Sequence, residues 1–394
     1  MLEKTEWQDR ACGPAETYDR VSSFLPEFGI TRVARHTGLD RVGIPVWCAY
    51  APNAKSIVVA QGKGLTDEDA RISAVMEALE RVVASQPYCD VTCASAGSLR
   101  ASGKRVDALP CLIATGQSAI REEEDIPWIA GRDLLTGETV YVPFEAATLD
   151  RTVRARRYWQ SSDGLASGNT LDEAIFHGLN ERIERDAYVL WQVSSIRARQ
   201  ASCFDPKSLG CREISSLTAR IEKAGLVLRM FDMTSDVSVP SFTALVAPSE
   251  VLSSQRPRFV DVNYGAGTHP STRGAIIRAI TEAAQSRMTY ISGARDDIYS
   301  SVYRQTLAEE TRSLLSADQR TLHLQNFADL AGDSLSETIE VFREKGLGPV
   351  IAVSLSDPSW PFAVAKVLAP ALENPEGARA QRYGSRALAR GSFG

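Results

Sequence analysis

Two pairs of glutamates are the residues whose type and spacing best suit chemistry in this sequence. Glu77 and Glu80 form one E-x-x-E pair, Glu181 and Glu184 form the other, and an arginine follows each pair directly. Residues three apart lie on one face of a helix, so each pair would project together. Carboxylates brought close repel one another unless a cation intervenes. Oxygen ligands without cysteine or histidine favour Mg²⁺, which commonly shares its coordination with phosphate oxygens.

The elements that carry these acids recur three times along the chain. Each unit is an apolar strand-like run, a glycine-containing turn and a helical stretch: 56–64 with 65–84, 161–169 with 170–191, and 258–269 with 270–291. The recurring positions are an alanine and two later polar residues: Ala70, Glu77 and Glu80; Ala174, Glu181 and Glu184; Ala275, Glu282 and Gln285. A solvated helix face is the ordinary explanation of a single E-x-x-E pair. Recurrence at the same offset in a repeated unit favours a shared site instead.

Each repeated helix has a recognisable start. Thr66 and Thr170 are predicted N-caps, because each precedes a helical run and has an acidic residue three positions later, as in a capping box. Pro270 is predicted in the first turn of the third helix, where its missing N–H has no partner to lose. That helix also has Arg278 and Arg287 on either side of its glutamate. Arginine beside acids and a metal suits a nucleotide polyphosphate.

The remaining pattern predicts a mixed α/β (α+β) architecture. Strand-like runs occupy 224–233 and 242–248, a helix is predicted over 334–346, and 349–356 and 361–370 are rich in strand formers. The sequence has neither a G-x-x-x-x-G-K-[ST] loop nor a G-x-G-x-x-G turn after a strand. It therefore favours neither a P-loop nucleotidase nor a dinucleotide dehydrogenase.

Composition argues against several classes of protein. The 394 residues include 44 basic and 49 acidic side chains, a net charge of -5, which is unsuited to binding nucleic acid through many phosphates. No run of about 18 apolar residues is present, so we expect no membrane span. The charged start MLEKTEWQDR lacks the apolar core of an export signal, which predicts a cytoplasmic protein. The seven scattered cysteines indicate reduced thiols rather than disulfides or a zinc cluster.

Four long strings of this sequence resemble motifs of the YcaO family, ATP-dependent enzymes that activate the backbone amides of peptides. The strings are TGLDRVGIPVW (37–47), QGKGLTDEDARISAVMEALERV (61–82), DGLASGNTLDEAIFHGLNERIERDA (163–187) and RAITEAAQSRMTYISGARDD (278–297). The resemblance runs from about residue 10 to residue 370. It implies the YcaO fold, in which sheet layers and helices carry a site for ATP and Mg²⁺. It also implies that residues 1–45 contribute to the ATP site, that 46–370 form the catalytic domain, and that 371–394 are a flexible tail.

The resemblance further implies roles for individual residues. The side chains that would hold Mg²⁺ on the triphosphate are Glu77, Glu80, Glu181 and Glu184. Those that would contact the nucleotide or its metal shell are Ser73, Asn169, Glu173, Arg185, Arg278 and Glu282. Of these, Arg185, Arg278 and Glu282 are the implied catalytic residues. Arg10 and Thr17 keep the spacing of a basic and a hydroxyl residue that reach the phosphates, whereas Asp163 departs from the asparagine that is common in the family.

The family chemistry begins with a nucleophile adding to the amide carbonyl, after which the oxyanion attacks the γ-phosphate of ATP and phosphate leaves with the amide oxygen. A neighbouring Cys, Ser or Thr of the substrate gives an azoline, whereas sulfide gives a thioamide. The start of the chain is similar to members paired with TfuA-like proteins, and its end, ALARGSFG, lacks the Pro-rich tail of azoline formers.

We therefore favour thioamidation of a peptide or ribosomal protein, with sulfur delivered by a TfuA-like partner. Azoline formation is one alternative to this reaction. The other is a non-catalytic accessory role in ribosomal protein modification. The family resemblance also makes a homodimer an expectation.

Overall fold

A computed structural model of the protein describes residues 10–322, 334–375 and 377–392. As the sequence predicts, these residues form a mixed α/β structure. Its strands are β1 (Arg32–Arg35), β2 (Val46–Tyr50), β3 (Val59–Lys63), β4 (Val91–Ser95), β5 (Arg105–Val106), β6 (Asp125–Asp133), β7 (Thr139–Pro143), β8 (Leu165–Gly168), β9 (Cys203–Phe204), β10 (Leu226–Asp232), β11 (Ser241–Pro248), β12 (Asn263–Thr268), β13 (Ile351–Ser354) and β14 (Ala363–Leu368).

The strands form three sheets. One sheet has the order β1-β2-β3, and a second has the order β12-β11-β10-β9. The largest has seven strands in the order β5-β7-β6-β13-β14-β8, with β4 pairing onto β6. Its pairs are antiparallel except for the parallel pair β5–β7.

Helices connect and cover these sheets. They are α1 (Pro14–Val21), α2 (Asp67–Ser85), α3 (Ala96–Ala101), α4 (Phe144–Ala147), α5 (Leu171–Val193), α6 (Ile196–Ala201), α7 (Arg212–Lys223), α8 (Thr272–Ser292), α9 (Glu309–Leu315), α10 (Ser334–Glu344) and α11 (Ser385–Ser392). The strands and the helix predicted beyond residue 220 are confirmed as β10, β11, α10, β13 and β14. Among the described helices, none has the length and apolar character needed to cross a bilayer.

The three predicted strand–turn–helix units are present, and each belongs to a different sheet. They are β3 with α2, β8 with α5, and β12 with α8. Each helix also packs against the strand of another unit: α2 against β8, α5 against β12, and α8 against β3. The units therefore close a ring, which brings together helices that are about a hundred residues apart in the chain.

Glycines let these helices lie directly on their strands. A Cβ added at Gly62 of β3 would stand 2.1 Å from the backbone nitrogen of Ala74 in α2. One added at Gly267 of β12 would stand 2.1 Å from the carbonyl oxygen of Ala275 in α8. Helix backbone cannot yield to such a contact unless the whole helix moves, so glycine is required at both positions. The close approach fixes the distance between each helix and its sheet.

Apolar packing holds the acid-bearing helices in place. Val75 and Leu79 of α2 share a hydrophobic cluster with Val353 of the seven-stranded sheet. Leu179 and Ile183 of α5 share another cluster with several residues of β14. All seven cysteines are free in the structure.

The starts of α2 and α5 differ in how their acidic residue is used. Thr66 and Asp69 form the predicted capping box: each side chain accepts the other residue's backbone N–H at 3.1 Å. Thr170 likewise accepts the N–H of Glu173 at 3.2 Å. The Glu173 carboxylate, however, accepts from Arg10 instead of returning to the cap. Glu173 therefore binds Arg10 instead of completing a capping box.

The prediction that Pro270 lies in the first turn of α8 is wrong. The helix begins at Thr272 with Ser271 as its N-cap, so Pro270 precedes the helix. The ring nitrogen Nδ1 of His269 accepts the N–H of Ser271 at 2.9 Å. This local bond turns the chain before the helix starts, and the proline occupies the turn.

Within the segment 371–394, for which the sequence predicts a flexible tail, residues 385–392 form α11 and pack on α5. Arg386 of α11 donates to both oxygens of Asp186, a fully buried carboxylate of α5, at 3.0 and 2.8 Å. Glu373 accepts two backbone N–H groups at the start of α11. A buried carboxylate requires a partner, and here the C-terminal helix supplies it.

Candidate active site

The acid pair of α2 lies beside the second unit of the ring. Arg81 Nη2 is 3.3 Å from Glu77 Oε1, and Arg81 Nε is 3.8 Å from Glu80 Oε1. Ser167 of β8 has its hydroxyl 3.4 Å from Glu80 Oε2. Burial raises the pKa of Glu80 well above its ordinary value, and Glu77 and Glu181 raise it further against the opposing effect of Arg81. The acids of α2 and α5 therefore lie within electrostatic reach of each other.

The acid pair of α5 shares one arginine with a third carboxylate. The guanidinium of Arg185 lies 3.2 Å from Asp163, 3.2 Å from Glu181 and 3.3 Å from Glu184. The N–H of Gly164 donates to Glu181 Oε2 at 3.1 Å. The loop that precedes β8 thus orients both the arginine and one glutamate, and Asp163, which departs from the family pattern, belongs to this contact.

Glu282 of α8 joins the cluster from the third unit. Lys63 Nζ donates to Glu282 Oε2 at 2.6 Å. Burial raises the pKa of Glu282, but Lys63 and Arg185 outweigh burial and hold it below its ordinary value. For Glu184, burial raises the pKa to about 7; Glu282 adds to the effect while Arg185 opposes it. A negative cluster with a partly protonated member is a site that a divalent cation would stabilise.

The recurring glutamine of α8 does not act as a third acid-pair residue. Gln285 donates its Nε2 to the carbonyl oxygen of Gln61 at 2.7 Å, which links α8 to β3. Arg287, predicted beside Glu282, pairs with Asp40 at 2.9 Å. The third unit therefore contributes Glu282 to the acid cluster, whereas Gln285 and Arg287 attach α8 to other parts of the chain.

A second cluster lies at the N-terminal end of α5. Arg10 Nη1 is 2.9 Å from Glu173 Oε1, and Asn169 Nδ2 donates to the same carboxylate at 3.2 Å. His177 lies one turn further, with Nε2 3.9 Å from Glu173. Burial lowers the pKa of His177 well below its ordinary value, and Arg10 and Arg278 contribute to this. Two arginines from distant parts of the chain thus approach a neutral imidazole.

Several buried atoms of this second cluster lack a protein partner. They are Asn169 Oδ1 and both ring nitrogens of His177, within the residues that the structure describes. Buried polar atoms are normally hydrogen-bonded, so unpartnered ones call for an explanation. A polyphosphate provides acceptor oxygens for the imidazole N–H and charge for the neighbouring arginines.

Two further predicted nucleotide contacts lie on the helices around these clusters. Ser73 is half-buried on α2, one turn before Glu77 and on the same face. Thr17 is buried in α1 and donates its hydroxyl to the carbonyl of Gly13 at 3.0 Å. Because α1 packs on α2, Thr17 belongs to the same region of the molecule.

Three cations near the acids were not identified from the sequence. Lys63 lies between two glycines at the end of β3, directly before a predicted helix. Lys366 is buried in β14, and its Nζ donates to the carbonyl of Asp163 at 2.8 Å. Arg295 lies close enough to Glu77 for their charges to interact. A lone lysine within an apolar strand is a signal that could have found Lys366, because such a charge is rarely buried without a partner.

The residues present fit Mg²⁺ that arrives with a polyphosphate. Among the described residues, no three histidine, cysteine, aspartate or glutamate side chains form a preformed metal cage. The ion pairs of Arg81 and Arg185 occupy their carboxylates instead. Mg²⁺ does not need such a cage, because it commonly takes one or two carboxylates and completes its octahedron with phosphate oxygens and water.

Comparison with known proteins identifies the family. A family model described as an ATP- and Mg²⁺-binding YcaO cyclodehydratase matches residues 61–373. A protein in the tfuA 3′ region of Rhizobium leguminosarum bv. trifolii is 38% identical over 378 residues, which covers 94% of this chain and 90% of that protein. The chain belongs to the YcaO family. As a member of an ATP- and Mg²⁺-binding family, it uses ATP and Mg²⁺ as its cofactors.

One further relative and two solved structures are also similar to this chain. An uncharacterised protein of Methanothermobacter thermautotrophicus is 34% identical over 381 residues, 92% of this chain and 95% of that protein. YcaO from Methanopyrus kandleri, solved with AMPPCP and Mg²⁺, has a TM-score of 0.71 at 22% identity and 95% coverage of both chains. A heterocyclase solved with substrate and cofactor has a TM-score of 0.77 at 20% identity, covering 96% of this chain and 55% of its own. These structures share the fold.

Proposed function

We propose that this YcaO protein activates a backbone amide of a peptide by ATP-dependent O-phosphorylation. The observation that carries the proposal is the adjacency of two clusters along α5. One cluster consists of acids suited to Mg²⁺, and the other has arginines and unpartnered buried atoms suited to phosphates. A triphosphate lying along α5 would meet both clusters, so its γ-phosphate would be held near the substrate carbonyl.

The proposed roles divide the site residues into three groups. The proposed Mg²⁺ ligands are Glu77, Glu80, Glu181 and Glu184. The proposed nucleotide contacts are Arg10, Thr17, Ser73, Asn169, Glu173, Arg185, Arg278 and Glu282. Among these, Arg185 and Arg278 would stabilise charge on the transferring phosphoryl group, and Glu282 would orient Lys63 beside it.

Bound Mg²⁺ and ATP supply an electrophilic phosphorus and neutralise its charge. In the same proposal, residues 1–45 contribute to the ATP site and 46–370 form the catalytic domain.

We further propose that the product is a thioamide, formed with sulfide supplied through a TfuA-like partner. The support is the relative from the tfuA 3′ region, which is 38% identical and matches almost the whole chain. The substrate would be a peptide or a ribosomal protein, and the enzyme would act as a homodimer. Azoline formation is the second candidate. The similarity to the heterocyclase supports it only at the level of the fold, because that protein is 20% identical.

Mass spectrometry tests the product. The protein, a TfuA-like protein and a candidate substrate peptide are incubated with ATP, Mg²⁺ and sulfide. Replacement of one oxygen by sulfur raises the peptide mass and supports thioamidation, whereas loss of one water shows azoline formation. Omission of ATP, and the variant Glu77→Gln, serve as controls that should leave the peptide unmodified.

Calorimetry separates an enzyme from an accessory factor. We expect Mg²⁺-dependent binding of a non-hydrolysable ATP analogue that Glu77→Gln and Glu184→Gln each weaken. Glu222→Gln is the matched control, because Glu222 is half exposed and pairs with Lys207 at the surface. Absence of nucleotide binding by the folded protein would favour the accessory role.

A further inference from the structure

A small cavity adjoins the acid cluster at Asp163. Its volume is about 20 Å³, which is room for one occupant the size of a water molecule or a chloride ion. The charged side chains of its wall are Asp163, Arg182, Lys366 and Arg379, and Ser161, Asn374 and Cys111 are its uncharged polar residues. The rest of the wall is mainly aliphatic, with Leu109, Leu112 and Val367 among its residues. The proposed roles of ATP and Mg²⁺ leave this cavity unexplained.

The wall of the cavity carries more positive than negative charge. Arg182, Lys366 and Arg379 are 3%, 4% and 5% exposed. The one carboxylate on the wall is Asp163, and Arg185 shares it at 3.2 Å. Burial lowers the pKa of Lys366 to about 8, and burial also lowers the pKa of Arg379; Arg182 adds to both effects and Asp163 opposes them. Cations with lowered pKa values are incompletely compensated.

Hydrogen-bond donors on this wall also remain unused. Nε of Arg379 is buried and has no partner in the part of the chain that the structure describes. Nζ of Lys366 donates to the carbonyls of Ser161 and Asp163 at 2.6 and 2.8 Å, which uses two of its three N–H bonds. An acceptor that also carries negative charge would satisfy both the donors and the charge.

We propose that this cavity binds one small monovalent anion, of the size of chloride or hydrosulfide, between Lys366 and Arg379. Such an anion would accept hydrogen bonds from Nζ and Nε, and the apolar part of the wall suits an ion that is weakly hydrated. Chloride and hydrosulfide share the required charge and size. The hydrosulfide assignment rests on the proposed thioamidation, since hydrosulfide is the anion that this reaction consumes. The anion site itself does not depend on that reaction.

Bromide provides the direct test. Crystals of the full chain are soaked in sodium bromide, and the anomalous signal is mapped. We expect a peak in the cavity within hydrogen-bonding distance of Lys366 and Arg379, and its loss in Lys366→Met. Arg154→Gln is the control, because it removes the same charge from an exposed residue outside the cavity and should keep the peak. A wild-type map with bromide only at the surface would overturn the proposal.

A solution measurement guards against binding that occurs only at crystal concentrations. Sodium chloride is compared with sodium gluconate at equal ionic strength, and chloride should raise the Tm of the wild type by about 2 °C. Lys366→Met, or Arg379→Gln if the first variant does not fold, should abolish this rise. An equal chloride effect in wild type and variant would contradict the site.

Hydrosulfide is then distinguished from halide by competition. Sodium hydrosulfide, added without oxygen to bromide-soaked crystals, should reduce the cavity peak if the site takes hydrosulfide. An undiminished bromide peak would overturn the hydrosulfide assignment and leave a halide site. If the cavity binds bromide but the protein does not form a thioamide, the proposed function is refuted and the anion site is retained. The two proposals can therefore fail independently.

Discussion

Replacement of Glu184 by glutamine should stabilise the free protein and weaken its binding of Mg²⁺-ATP. The ordinary pKa of this carboxyl is 4.5, and burial in the cluster raises it to about 7. Between these pH values the unfolded chain has released a proton that the folded chain retains. The contribution of Glu184 to the free energy of unfolding is therefore fully present below pH 4.5, its pKa in the unfolded chain, and is lost as the pH rises to about 7. The loss amounts to about 3 kcal/mol, at about 1.4 kcal/mol per pKa unit.

Glutamine has nearly the same shape as glutamate but cannot ionise, so Glu184→Gln should not show this loss. At about pH 8 we expect its Tm to exceed that of the wild type by about 3–4 °C, from the unfolding entropy of a chain of this length. Near pH 5 the two proteins should melt together. Calorimetry with an ATP analogue and Mg²⁺ should show affinity reduced by about 10–100-fold, as expected when a metal loses a carboxylate.

Melting curves across this pH range, measured by differential scanning fluorimetry, provide the test. Glu222→Gln removes a surface carboxylate and should follow the wild type within about 0.5 kcal/mol at every pH. The electrostatic reasoning is refuted if Glu184→Gln is no more stable than the wild type at about pH 8. It is also refuted if the two proteins differ by the same amount at both ends of the range.

Three further changes test the ring and its contacts. Lys63→Met removes the amine that lies 2.6 Å from Glu282 and helps hold the pKa of Glu282 below its ordinary value. A carboxylate with a lowered pKa stabilises the folded protein at pH values above its unfolded pKa, so this variant should have a lower Tm at neutral pH. Gly62→Ala places a Cβ 2.1 Å from backbone of α2 and should cost about 3 kcal/mol or more in urea unfolding, whereas Gly13→Ala, with open space, should not. Arg386→Met removes the ion-pair partner of the buried Asp186, at a cost of about 3–5 kcal/mol. Adding Asp186→Asn should recover part of this cost, and no recovery would contradict the ion-pair explanation.

The sequence identified the acids because their spacing is a local property of helices. A three-residue interval places Glu77 beside Glu80 on any helix, and the glycine turn before each helix marks where that helix begins. Both the strand–turn–helix units and the mixed architecture were therefore predictable. The assignment of individual glutamates as Mg²⁺ ligands stays a prediction, which the proposed variants test.

The sequence failed where a contact joins distant segments. The pairing of Lys63 with Glu282 spans more than two hundred residues, and neither residue signals the other locally. The basic and glycine-rich composition of the last residues predicts a loose tail, whereas residues 385–392 form α11. Its order depends on Arg386 meeting Asp186, which only the packed structure shows.

The amino-acid sequence by itself determined the repeated units, the acid-bearing helix faces and the family, because periodicity and motif spacing are written along the chain. Only the tertiary structure decided that three sheets direct these helices into one ring, that arginines separate the carboxylates, and that buried cations surround a cavity beside Asp163. The physical reason is that pKa values, ion pairs and cavities depend on distances through space, which local patterns do not specify.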